Sequence, residues 1–138
     1  MNKKIHLKVK TDLNDTEKVL SWFEQINQPP LPDQNVWWKC QTLLIEGFTN
    51  IVEHAHKNLP VEIPIELEVV RLSEHIEIRI WSVGEAFDLE QQLQITPELT
   101  DNFQDRGRGL KIISSIAEEF SYLPTDDQRN CLFFKIKY

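Results

Sequence analysis

Three polar residues recur at four-residue intervals near the middle of the chain, and their side chains are of types that do chemistry. They are Glu46, Asn50 and His54. In an α-helix this spacing places the three side chains on one stripe, one above another. The amide oxygen of Asn50 could then hold a metal ion while the Glu46 carboxylate activates a hydroxyl group or a water. The same spacing also fits an ordinary polar helix edge.

The segment at residues 82–88 joins a predicted strand to a loop and contains one glycine, Gly84. Because glycine has no side chain, the backbone at Gly84 can approach a flat ligand closely. By itself the segment is also typical of a simple turn that ends a strand.

A second segment, residues 105–111, carries two glycines and three basic side chains in a chain whose net charge is −7. The glycines open a predicted helix, and the free N–H groups at a helix start favour a phosphate. Arg106, Arg108 and Lys111 add positive charge there. The segment is not a P-loop, since GxxxxGK[ST] does not occur. A basic, solvent-exposed helix start is the alternative interpretation.

The elements that must position these groups follow from the spacing of apolar residues. Period-two alternation predicts four strands, at about residues 5–9, 63–69, 76–80 and 132–136. Helical spacing predicts one helix after the first strand, a second over about 36–56 and a third over about 107–121. The long segment at about 84–106 lacks a strong period and is typical of a lid.

This order of elements, β-α-α-β-β-(lid)-α-β, predicts an α+β fold. The strands are amphipathic, which indicates a sheet that helices cover on one face only. We therefore expect a two-layer α/β sandwich with a mixed, mostly antiparallel sheet. A length of 138 residues predicts that all of residues 1–138 form one domain.

Composition excludes several classes of function. A net charge of −7 and a pI near 5.1 argue against generic binding to nucleic acid or to an anionic membrane. No apolar stretch approaches the roughly 20 residues of a membrane-spanning helix. Cys40 and Cys131 lie far apart without metal-binding spacing, so we expect two core thiols in a reducing cytoplasm.

In this order, the three segments resemble those of the anti-sigma-factor type of serine/threonine protein kinase. These kinases belong to the Bergerat-fold ATPases, together with gyrase and histidine-kinase catalytic domains. Residues 46–57, E-G-F-T-N-I-V-E-H-A-H-K, are similar to the N box, whose core reads E-x-x-x-N with a histidine four residues on. Gly84, Phe87 and Asp88 match the G1 box, and residues 107–110 match the G2 box. The resemblance covers nearly the whole chain.

The resemblance implies a Bergerat ATPase fold that binds Mg²⁺ and ATP. It implies that Glu46 is the general base toward a substrate hydroxyl and that Asn50 ligates Mg²⁺ through its side-chain oxygen. Gly107 and Gly109 would let the lid and the helix start close on the phosphates. The other nucleotide-binding residues implied by the resemblance are His54, Ser82, Gly84, Phe87, Arg106, Arg108 and Leu110.

The resemblance also implies partners. The expected substrate is a serine or threonine of an anti-anti-sigma protein with a STAS domain, in a partner-switching system. A sigma factor and a second copy of the chain are further expected partners.

The chain departs from the family pattern at three positions. Ser82 stands where the G1 box usually begins with Asp, the acceptor for the adenine amino group. Ala86 replaces the second glycine of that box, and Lys111 stands where many members have a further glycine. These departures keep an alternative open: a non-catalytic partner-switching module of the same fold, with weak or no ATP binding.

Overall fold

The computed structural model describes residues 2–84 and 117–138. Within them the chain forms the strands β1 (Lys3–Lys10), β2 (Pro64–Arg71), β3 (His75–Val83), β4 (Glu119–Pro124) and β5 (Arg129–Lys137), and the helices α1 (Thr16–Phe23) and α2 (Gln34–Asn50). Short 3-10 turns at Leu13–Asp15 and Glu24–Asn27 flank α1, and a π-helical turn at Ile51–Ala55 continues α2. No helix in the described part of the chain is long and apolar enough to cross a membrane.

The described strands form one five-stranded sheet in the order β1-β2-β3-β5-β4, and every neighbouring pair is antiparallel. Alternate residues of the central strands are fully buried, for example Ile76, Ile78 and Ile80 of β3. Their neighbours in sequence are half-buried on the other face. This alternation is the pattern of a sheet covered on one face, and it confirms the predicted α+β class.

Strand β4 corrects the prediction of a third helix that extends to about Ser121. Residues Glu119–Pro124 pair with β5, and Phe120 lies opposite Phe134. Over so short a segment an apolar residue such as Phe120 fits a helical stripe and a strand equally well, so periodicity could not decide. The chain turns from β4 into β5 at residues 125–128.

Helix α2 lies close against the buried face of the sheet, and Gly47 makes this close approach possible. A Cβ atom built at Gly47 would lie 2.8 Å from Ile80 Cδ1 and 2.9 Å from Phe134 Cε2. The helix begins after Asp33, whose carboxylate accepts a hydrogen bond from the Asn35 N–H at 2.8 Å. The last turns of α2 are therefore held directly over β3 and β5.

Of the two cysteines, one lies in the core as predicted and the other does not. Cys40 lies in the core, and burial raises the pKa of its thiol to about 12. Cys131 is not a core residue, because it lies on the outer face of β5 opposite Trp81 and is only half-buried. The prediction of two core thiols was wrong for Cys131, since strand alternation directs Leu132 inward and its neighbour outward.

Candidate functional site

The end of α2 carries the first polar groups of the candidate site. Glu46 and Asn50 lie four residues apart in this helix, Glu46 half-buried and Asn50 only 2% exposed. The side-chain nitrogen of Asn50 has no hydrogen-bond partner among residues 2–84 and 117–138. A half-turn of the amide exchanges its nitrogen and oxygen, so Asn50 can offer either a donor or an acceptor at that place.

The helix continues as a π-helical turn, in which His54 lies. The turn is closed by the His56 N–H, which donates to the Ile51 carbonyl at 2.8 Å. Such π turns are rare and concentrate at functional sites. His54 therefore lies on a wider turn than the regular α-helical stripe on which it was predicted.

Beyond this turn, the His56 side chain is 1% exposed and uses both of its ring nitrogens. Nε2 accepts a hydrogen bond from the Val83 N–H at 2.9 Å, and Nδ1 lies 2.8 Å from the Thr11 hydroxyl. Burial lowers the pKa of His56, so the ring is neutral at neutral pH. Sequence reasoning missed this role, because nothing in the spacing of histidines identifies partners 45 and 27 residues away.

The end of β3 supplies the second part of the site. Ser82 is fully buried, and its hydroxyl finds no partner within the described part of the chain. Gly84 has a φ of +82°, a left-handed conformation that favours glycine. Its carbonyl accepts a hydrogen bond at 3.0 Å from the side chain of Asn130, a second residue that sequence reasoning missed.

Asn130 is buried, and the sheet register explains its role. It lies directly opposite Ser82 across the β3–β5 pair and faces the same side. The side-chain nitrogen of Asn130 thus donates to the Gly84 carbonyl, while the backbone of β5 pairs with β3 at Ser82. The only sequence signal for this residue is an amide at an inward position of a strand, where an apolar residue is usual.

The remaining predicted site residues lie outside the described residues. They are Phe87, Arg106, Gly107, Arg108, Gly109 and Leu110, together with nearly all of the predicted lid at 84–106 and the departures Ala86 and Lys111. The described site therefore consists of the end of α2 and the end of β3.

Buried polar side chains concentrate at this one end of the sheet. Of the six polar or charged residues that are buried in the described part of the chain, five lie there: Thr11, Asn50, His56, Ser82 and Asn130. Two of the five leave a buried polar atom without a partner, the Asn50 nitrogen and the Ser82 hydroxyl. Such orphaned groups are costly in a folded protein unless a ligand completes them.

These two groups fit an adenine nucleotide with Mg²⁺. A buried hydroxyl at the end of a strand can accept a hydrogen bond from an amino group of a flat base. An amide oxygen is a hard ligand of the kind that Mg²⁺ takes, and Mg²⁺ commonly uses one or two protein ligands together with substrate phosphates. The described residues at this end of the sheet could therefore supply one ligand to the metal and one acceptor to the base.

Comparisons with known proteins identify the family. Residues 9–136 match the histidine kinase-like ATPase domain family, HATPase_c_2. Because this match covers nearly the whole chain, the chain belongs to that family. A comparison with curated proteins gives no significant match.

The fold is also that of a solved structure. A chain in the crystal structure of the SiaB–SiaC complex from Pseudomonas aeruginosa superposes with a TM-score of 0.66 at 14% sequence identity. The superposition covers 97% of this chain and 89% of the other. At this level of identity the likeness is one of fold.

Proposed function

We propose that this histidine kinase-like ATPase domain is a serine/threonine protein kinase of the anti-sigma-factor type. It binds Mg-ATP and transfers the γ-phosphoryl group to a serine or threonine of an anti-anti-sigma partner with a STAS domain, in the cytoplasm. Two findings support a partner-switching kinase: the family to which the chain belongs, and a structural neighbour that was solved as a protein–protein complex.

One observation carries the proposal. The Asn50 side-chain nitrogen and the Ser82 hydroxyl are both buried, both lack a partner in the described residues, and both lie at the same end of the sheet. An unpaired buried polar group costs about 1–3 kcal/mol. A nucleotide that contacts both groups removes that cost, so these residues serve binding rather than folding.

Each of the described residues takes a defined part in the proposed reaction. Ser82 accepts a hydrogen bond from the adenine amino group, and Gly84 lets the backbone lie close to the ring. Asn50 holds Mg²⁺, which neutralises charge on the phosphate oxygens when it is bound. Glu46, one helical turn before Asn50, takes the proton from the attacking hydroxyl of the substrate protein.

The proposed roles of the residues outside the described part complete the site. Gly107 and Gly109 let the predicted helix start approach the phosphates, while Arg106 and Arg108 supply positive charge. Phe87 and Leu110 contribute to nucleotide binding, as does His54, which lies on the described π turn. A sigma factor and a second copy of the chain are further proposed protein partners.

A second candidate function rests on Ser82. A neutral hydroxyl replaces the carboxylate that the family uses for adenine, and charge-assisted hydrogen bonds are worth about 1.5–3 kcal/mol. If this loss removes ATP binding, the chain acts as a non-catalytic module that sequesters a partner protein by contact alone.

Calorimetry with ATP, in the presence and absence of Mg²⁺, separates the two functions. We expect the parent protein to bind Mg-ATP and Asn50→Ala to lose more affinity with Mg²⁺ than without it. Equal losses would show that Asn50 is structural. Absence of binding at about 1 mM ATP, an affinity limit near −4 kcal/mol, would favour the non-catalytic module.

A STAS-domain substrate then tests the transfer itself. Labelled γ-phosphate should appear on serine or threonine of the partner when Mg-ATP and the parent chain are both present. His6→Gln is a suitable control, because His6 lies on the outer face of the sheet, paired with Glu66.

A further inference from the structure

The His56 imidazole lies where three strand ends meet. Thr11 follows the end of β1, Ile63 precedes the start of β2, and Val83 ends β3. The ring contacts the Thr11 hydroxyl and the Val83 N–H, and Thr11 in turn donates to the Ile63 carbonyl at 2.6 Å. Since His56 also closes the π turn after α2, it connects the end of the helix with all three strands.

The hydrogen-bond chain permits only one arrangement of protons. A backbone N–H can only donate, so Nε2 must offer its lone pair to Val83. The proton of the neutral ring is therefore on Nδ1 and is donated to the Thr11 oxygen. The Thr11 hydroxyl then donates its own proton to the Ile63 carbonyl. His56 is thus held as a single tautomer.

The sheet register shows why Val83 needs this acceptor. The last paired residues between β2 and β3 are Glu66 and Trp81, so Val83 extends past the ladder on that side. His56 Nε2 supplies the acceptor that the neighbouring strand no longer provides. The bond fixes the peptide between Ser82 and Val83, directly before Gly84.

We propose that His56 is the positioning residue that aligns the adenine-binding end of β3 with the Mg²⁺-binding end of α2. The inference rests on the proposed nucleotide site, because Ser82 and Gly84 belong to the strand end that His56 holds. A second proton on the ring would turn Nε2 into a donor that faces another donor, the Val83 N–H. Protonation therefore releases the strand end and weakens nucleotide binding.

The direction of the pH effect follows from burial. The pKa of His56 in the folded protein lies below the ordinary value of 6.5. As the pH falls, the ring is therefore protonated in the unfolded chain before it is protonated in the folded protein. Stability therefore falls as the pH falls below about 6.5. The charged or titratable groups on the described segments around the ring include Lys10, Asp12, Glu53, His54, Lys57, Glu62 and, opposite Val83 on β5, Arg129. Of these, Lys10, Lys57 and Glu62 are exposed.

Two substitutions at His56 separate positioning from simple loss of a core residue. Leucine removes both hydrogen bonds, whereas glutamine keeps one acceptor and one donor on a planar group that does not titrate. His6→Gln serves as a matched control for the same substitution on an exposed face. Thr11→Val removes the acceptor for Nδ1 and tests the site in case His56→Leu does not fold.

The measurements are Mg-ATP calorimetry at pH 7.5 and 5.5, ¹⁵N chemical shifts of the His56 ring, and hydrogen exchange at the Val83 amide. We expect His56→Leu to weaken binding and to speed Val83 exchange, each by about tenfold, as for one lost hydrogen bond. His56→Gln should bind within about threefold of the parent and lose the part of the pH dependence that His56 causes. Thr11→Val should also speed Val83 exchange.

Three results would overturn the proposal: a proton on Nε2 at neutral pH, unchanged affinity in His56→Leu, or a His56→Gln variant with the pH dependence of the parent. If the parent binds no Mg-ATP, the proposed function fails. The ring shifts and the Val83 exchange rates then decide the positioning role by themselves, because neither measurement needs the nucleotide.

Discussion

Both ends of the sheet bury polar side chains, but among the described residues those at one end are paired and two at the other end are not. At the site end, the Asn50 nitrogen and the Ser82 hydroxyl have no partner in the described residues. At the opposite end, Arg71 is 7% exposed, and none of its side-chain atoms is buried without a partner. The described residues therefore pair the buried polar group at one end of the sheet and leave two buried polar atoms unpaired at the other.

At the opposite end, the contacts of Arg71 and Tyr138 connect several segments of the chain. The Arg71 guanidinium donates to the Ile26 carbonyl at 2.9 Å and to the Pro29 carbonyl. Its Cζ lies 5.7 Å from the centre of the Tyr138 ring, and the Tyr138 hydroxyl donates to the Leu72 carbonyl. These bonds join the end of the first helical segment to the end of β2 and to the last residue of the chain.

The difference indicates which polar groups a sequence keeps for folding and which it keeps for a ligand. Arg71 is satisfied by carbonyl groups of the chain itself, so nothing is left for a ligand to bind. Within the described residues, the Ser82 hydroxyl and the Asn50 side-chain nitrogen are buried and retain unused hydrogen-bonding capacity. A completed polar cluster adds stability, whereas an incomplete one costs stability until a ligand pairs its free groups.

The largest effect is expected from Glu46→Gln. If Glu46 is the general base, its loss should lower the phosphotransfer rate by about 10²- to 10⁴-fold while stability and Mg-ATP affinity change little. Glu53→Gln is the matched control, because Glu53 lies on the following π turn. Phosphate transfer from labelled ATP to a STAS-domain substrate measures both. Equal rates in the Glu46 variant and the parent would remove Glu46 from the reaction.

Arg71→Leu tests the other side of the comparison. The substitution leaves the Ile26 and Pro29 carbonyls without their donor, and we expect the free energy of unfolding to fall by about 2–4 kcal/mol. Mg-ATP affinity of the folded protein should not change. Urea unfolding and calorimetry measure the two quantities. A variant that loses affinity without losing stability would contradict the division of roles between the two ends.

Arg79→Leu is the matched control for this substitution. Arg79 lies on the outer face of β3, 31% exposed, with Glu77 at 3.0 Å and Glu68 at 3.9 Å. Exposed ion pairs are worth about 0–1 kcal/mol, so the control should be far milder than Arg71→Leu.

How much of this fold could be predicted depended on the length of each pattern. Helix α2 and the β2–β3 hairpin were predicted because apolar residues repeat along them over several turns or pairs. Strand β4 was missed, because six residues with two inward aromatic side chains carry too little period to distinguish a strand from a helix. Its pairing with β5 decides its conformation, and that contact is not local.

The candidate site divides along the same line. Glu46, Asn50, Ser82 and Gly84 could be found because they lie in short local motifs. His56 and Asn130 could not be found in this way, because their backbone partners are far away in sequence. The partner of His56 is 27 residues away, and that of Asn130 is 46 residues away. Residues that hold a site in place are therefore harder to predict than those proposed to contact its ligand.

Ser82→Asp is expected to have a smaller effect than Arg71→Leu, and to raise ATP affinity while it lowers stability. A carboxylate would give the adenine amino group a charged acceptor, which should tighten ATP binding by about 1–2 kcal/mol, or five- to thirtyfold. An unpaired carboxylate at a fully buried position should also lower the melting temperature without nucleotide. The ligand-induced rise in melting temperature should then be larger than in the parent.

Ser82→Ala completes that test. It removes the orphaned hydroxyl, so stability should stay the same or rise while ATP affinity falls. If neither variant changes ATP affinity, Ser82 does not contact the nucleotide, and the comparison between the two ends loses one of its two incomplete groups.

The smallest effect is expected from Gly84→Ala, which tests whether backbone conformation holds the site end. Gly84 has a φ of +82°, and among the described residues the nearest atom to an added Cβ would be Leu59 Cδ1 at 3.8 Å, which leaves space for a methyl group on that side. Any cost must therefore come from the left-handed backbone, about 1 kcal/mol after the opposing gain in the unfolded chain.

Gln128 has a φ of 67° in the turn before β5, so Gln128→Gly should stabilise by a similar amount. Thermal unfolding measures both changes. Because only Gly84 belongs to the proposed nucleotide site, only Gly84→Ala should change ATP binding, and it should weaken it. A gain in ATP affinity in Gln128→Gly that matches its gain in stability would mean that affinity follows stability alone.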